Sequence, residues 1–116
     1  MSKRILVVED STMMRRIIVK VLRESGHEIV GEASSGQAAL DLYQELKPDL
    51  VTMDITMRGM DGITASKEIL NLDENAKILI LSNLDEDKYR EEVDKIGAIG
   101  LVNKHKTEEI LKLVNY

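Results

Sequence analysis

Five short apolar runs punctuate the chain: Ile5-Leu6-Val7-Val8, Ile29 to Ala33, Leu50 to Met53, Ile78 to Leu81, and Ile99 to Val102. The first, third and fourth are nearly unbroken, which is how a strand reads when both of its faces are covered. Between the runs the spacing changes to that of helices. Met14, Ile17, Ile18, Val21 and Leu22 fall at i, i+3, i+4, i+7 and i+8. Ser11 or Thr12 can cap that helix, and Gly26 can end it. A second helix is predicted from Gly36 to Leu46, stopped by the only proline, Pro48. A third runs from near Gly62 to near Leu72. A fourth carries Tyr89, Val93 and Ile96 and ends at Gly97. Thr107 is expected to cap the last, with Ile110 and Val114 on its inner face.

Alternating strands and helices predict an α/β fold: a doubly wound five-stranded parallel sheet with helices on both faces. Right-handed crossovers leave few topologies. The 116 residues fit one domain, expected to span 1–116, with no linker or repeat inside it. In such sheets active groups gather beyond the carboxyl ends of the strands.

Composition narrows the chemistry. With no cysteine, disulfides and thiolate-ligated metals are excluded. A net charge of −5, scattered basic residues and only three aromatics, Tyr43, Tyr89 and Tyr116, argue against nucleic acid as a partner. The apolar runs are too short to span a bilayer, and because the start runs straight into a strand-like segment, no signal peptide is expected. A cytoplasmic monomer is the expectation.

Strand one runs out at Glu9-Asp10, strand three at Asp54, strand four at Ser82, and strand five at Asn103-Lys104. Taken singly, each has a plain structural reading as a cap or turn residue. Together they are harder to dismiss. Three carboxylates placed close together repel and raise each other's pKa, and a divalent cation removes that conflict. Oxygen ligands suit magnesium or manganese. A carboxylate can then act as a nucleophile toward phosphorus, while a lysine and a hydroxyl hold the remaining oxygens.

The segments Ile5 to Asp10 (ILVVED), Asp49 to Gly62 (DLVTMDITMRGMDG), Ile78 to Ser82 (ILILS) and Gly97 to Lys104 (GAIGLVNK) resemble the receiver domains of response regulators, most of all single-domain chemotaxis regulators of the CheY type. The resemblance implies the strand order 2-1-3-4-5, for which this protein type is a standing example. It implies phosphorylation at Asp54, and a metal site formed by Glu9, Asp10, Asp54 and the backbone carbonyl of Thr56. Ser82 matches the switch hydroxyl and Lys104 the lysine that contacts the phosphoryl group. Magnesium is the implied cofactor, with manganese as a substitute. The implied partners are a histidine kinase of the CheA kind and a downstream motor or adaptor protein.

Three positions depart from the family pattern. Arg58, not proline, follows Met57. Leu101 stands where an aromatic residue usually responds to the switch hydroxyl. His105 replaces the proline that usually follows the lysine across a cis bond, so a trans bond and a rebuilt loop from Asn103 to Thr107 are predicted. With Asp85, Glu86 and Asp87 making the start of the fourth helix acidic, these changes predict a poor match to the usual chemotaxis targets. Met53 reads as core, and Met57 and Met60 as loop packing. His105 has no second ligand beside it.

Several functions compete. A phosphorylation-controlled binding module fits best, not an enzyme beyond its own phosphorylation and dephosphorylation. The chain could also be a receiver cut from a larger regulator. A flavodoxin-like electron carrier would need a phosphate-cradling loop where Glu9-Asp10-Ser11-Thr12 stands. An aspartate-nucleophile phosphatase commonly has a second aspartate where Thr56 stands.

Overall fold

The structure, a computed structural model, describes residues 2–83 and 88–116. Ten elements alternate along it: β1 (Arg4–Val8), α1 (Thr12–Glu24), β2 (Glu28–Ala33), α2 (Gly36–Leu46), β3 (Leu50–Asp54), α3 (Gly62–Leu72), β4 (Ile78–Ser82), α4 (Arg90–Ile96), β5 (Gly100–Asn103) and α5 (Thr107–Asn115). The strands form one parallel sheet in the order β2-β1-β3-β4-β5. The unbroken apolar runs supply its centre: β3 and β4 are buried at every residue, and β1 at all but its first.

Alternation along the strands sorts the core into two layers. Ile5, Val7, Leu50, Leu79 and Leu81 face α1 and α5, packing on Ile18, Leu22, Ile110 and Val114. Leu6, Val8, Val51, Met53 and Ile80 face the other way, onto Ala39, Tyr43, Ile69 and Val93 of α2, α3 and α4. Met53 and Met57 are both buried in this second layer, and Met60 packs against it. Leu101 is buried there too, in the same cluster as Ile80 and Val93.

The helix ends follow local chemistry. Ser11 caps α1, its hydroxyl accepting from Met14 N at 3.2 Å. Lys47 leaves α2 in the left-handed conformation, φ 46°, because Pro48 disfavours the right-handed helical region for the residue before it. Arg4 then donates to the last carbonyls, Leu46 O and Lys47 O, at 2.9 Å each. Thr107 departs from expectation. It is the first helical residue of α5, Lys106 takes the cap position, and no side chain caps that end. The acidic run Asp85 to Asp87 lies outside the described residues. Among the described residues no helix is long and apolar enough to cross a membrane.

Candidate phosphoryl-acceptor site

The sheet order carries the candidate residues to one edge. Val8 stands opposite Met53 in the parallel pairing of β1 with β3, so Glu9 and Asp10 emerge beside Asp54. On the other side Asp54 pairs with Leu81, which places Ser82 next along β4. Ser82 pairs with Asn103, and its carbonyl accepts Lys104 N at 2.8 Å. Five residues from four strand ends therefore converge. Carboxylate oxygens of Glu9, Asp10 and Asp54 lie within 4.8 Å of one another.

Burial divides the three acids. Glu9 and Asp54 are buried, whereas Asp10 is exposed. Glu9 is fully engaged: Oε1 accepts from Lys104 Nζ at 3.0 Å, and Oε2 from Ser11 N at 2.9 Å. Asp54 is not. Lys104 Nζ stands 3.5 Å from its Oδ1, yet neither oxygen receives a hydrogen bond. Apart from Thr52 Oγ1, these are the only buried side-chain polar atoms without a partner among the described residues. Burial pushes the Asp54 carboxyl up to about 7. Repulsion from Glu9 and Asp10 adds to the rise, and Lys104 pulls partly back.

A buried carboxylate with two orphaned oxygens, beside two further acids, is an arrangement that fits a divalent cation. Alongside it a cavity of about 480 Å³ opens to solvent. Asp10, Thr56, Asn83, Lys104 and His105 line one part of it, and Met13, Met14 and Ile17 of α1 the other. His105 is exposed on this rim. The described peptide bonds are all trans, the one joining Lys104 to His105 included. Asn103 organises the turn that follows: its Oδ1 accepts from His105 N at 2.8 Å and its carbonyl from Lys106 N at 3.0 Å.

Two residues that support the site carry no obvious sequence signal. Gly62 begins α3 directly against the strand end: its N donates to Ile55 O at 2.8 Å, and a Cβ placed on it would stand 1.9 Å from Asp54 O. Read from sequence, this glycine marks only a helix start. Arg15 reaches from α1 to Glu9, its Nη1 donating to the Glu9 carbonyl at 2.7 Å.

The sequence matches the response regulator receiver domain over residues 5–115. It is 44% identical to the chemotaxis protein CheY of Thermotoga maritima, over 90% of this chain and 87% of that protein. It is 40% identical to the chemotaxis protein CheY of Bacillus subtilis, over 99% and 97% respectively. Among solved structures, a chain of the CheX–CheY–BeF3–Mg2+ complex from Borrelia burgdorferi matches with a TM-score of 0.91 and 29% identity, covering 96% of this chain and 85% of that one. The chain belongs to the response regulator receiver domain family.

Proposed function

We propose that residues 1–116 act as a chemotaxis response regulator, switched by phosphorylation of Asp54. The observation that carries this is the state of Asp54: buried, stripped of hydrogen bonds, and next to one ammonium and two acids. Relatives named as chemotaxis proteins over nearly the whole chain support the pathway. The donor is the phosphohistidine of a kinase of the CheA kind, and the output is binding to a motor or adaptor protein. The complex containing CheX and CheY in Borrelia burgdorferi supports a protein partner of this sort. A cytoplasmic monomer suits that role.

An Asp54 oxygen attacks phosphorus in line with the leaving imidazole nitrogen. The new O–P bond forms as the P–N bond breaks, and the imidazole keeps the bonding electrons and takes up a proton. Glu9, Asp10, Asp54 and the Thr56 carbonyl would hold magnesium, or manganese in its place, and the ion would supply positive charge against the phosphoryl oxygens. Lys104 stays close enough to Asp54 to neutralise a further phosphoryl oxygen. The Ser82 hydroxyl, at the end of the neighbouring strand, donates to another and relays the change toward β5.

The test is labelling with acetyl phosphate and magnesium. The wild type takes one phosphoryl group, and Asp54→Asn takes none. Full labelling of that variant at another residue overturns the assignment.

A further inference from the structure

Asp10 is the exposed member of the acid group, and its carboxylate has no hydrogen bond or ion pair among the described residues. Its position is set by the backbone that carries it, the Glu9–Asp10 peptide. The carbonyl of that peptide accepts Arg15 Nη1 at 2.7 Å. One bond upstream, Glu9 N donates to Ala33 O of β2 at 2.9 Å. Arg15 is itself tied at two points. Its backbone N donates to Ser11 O at 2.9 Å, and its Nε stands 3.2 Å from Glu32 Oε1 of β2. The half-exposed pair with Glu32 adds little stability by itself. What it does is aim the guanidinium. A charge-assisted bond of 2.7 Å onto a neutral backbone carbonyl is a strong, directional constraint.

We propose that Arg15 is a positioning residue for the acid group: by pinning the Glu9–Asp10 peptide it holds Asp10 where a divalent cation shared with Asp54 can reach it. This rests on the metal-binding reading given above. Two physical effects of Arg15 have opposite signs, which makes the idea sharp. Its positive charge repels a cation, so charge alone makes its removal tighten metal binding. Its hold on the peptide preorganises a ligand, so positioning makes its removal weaken metal binding.

The experiment is a titration with Mn2+, followed through the electron paramagnetic resonance signal of the free ion, with circular dichroism as a check on folding. Arg15→Met is expected to bind Mn2+ about tenfold more weakly than wild type, the scale on which groups that orient metal ligands act. Arg15→Lys keeps the charge but not the fork that reaches the Glu9 carbonyl and Glu32 together, and is expected to show a smaller loss in the same direction. In an Asp10→Ala background, Arg15→Met is expected to cause no further loss, because the ligand it positions is gone. A purely structural role would carry the loss over into that background. Unchanged or tighter binding by Arg15→Met overturns the proposal, and so does a loss that persists in full without Asp10. Should Arg15→Met fail to fold, Arg15→Lys decides, and wild-type affinity there overturns it. If the wild type itself binds no Mn2+, the metal reading fails first and the proposal falls with it.

Discussion

The ammonium of Lys104 stands 3.0 Å from the Glu9 carboxylate and 3.5 Å from that of Asp54, so one buried cation serves two buried anions. Lys104→Met removes it and leaves both uncompensated. Breaking a buried pair from one side costs about 3 kcal/mol or more. Urea unfolding of the metal-free variant at pH 7.5 is expected to show a loss of that size. The loss should shrink toward pH 5, where Asp54 takes up a proton. Equal midpoints for variant and wild type at pH 7.5 would contradict the pairing.

Asp54 gives the metal-free protein a pH dependence of defined sign. Its pKa lies near 7 in the fold against 3.8 unperturbed, so between these values the folded state keeps a proton that the unfolded chain releases. The stability this group contributes is fully present below about pH 4 and is lost as pH rises through about 7. The total loss is at most about 4 kcal/mol. The check is the stability difference between wild type and Asp54→Asn, measured without metal from pH 4 to 8. It should move steadily against the wild type. A difference that stays flat, or moves the other way, refutes the shift.

Gly62→Ala should damage fold and site together. The added carbon would meet backbone at 1.9 Å, and no flexible side chain is there to yield. Either α3 or the end of β3 must shift, at a cost of about 1–3 kcal/mol. Mn2+ affinity should fall with stability, because the shifted backbone carries Asp54. A variant as stable as wild type would show that the two segments are looser than they stand.

Asp10→Ala should weaken magnesium binding more than Glu9→Ala. Glu9 already spends one oxygen on Lys104 and the other on Ser11 N, while Asp10 spends neither. Removing Glu9 also frees Lys104. Calorimetric titration of both variants checks the order, and equal losses would count against the division of roles.

The elements were readable from local pattern because the information is local. An unbroken apolar run such as Ile78 to Leu81 marks a strand covered on both faces, and the stripe from Met14 to Leu22 marks a helix. An acid at the end of such a run must lie at the carboxyl edge of the sheet, so the sequence alone groups Glu9, Asp10 and Asp54. The trans bond before His105 was readable too, since the preference belongs to the peptide unit itself. The exact start of α5 is not legible in the sequence, because several adjacent residues can begin a helix; Lys106, not Thr107, takes the cap position.

The tertiary structure decided everything that depends on segments far apart in the chain meeting. Lys104 and Glu9 are 95 residues apart, and nothing near either one says that the ammonium pairs with Glu9 more closely than with Asp54. The raised pKa of Asp54 comes first from burial, which a residue acquires only when the sheet and its helices close over it. The need for glycine at position 62 and the reach of Arg15 to the Glu9 carbonyl are likewise products of packing. Periodicity records which face of an element turns inward; what that face meets is settled only when the layers come together.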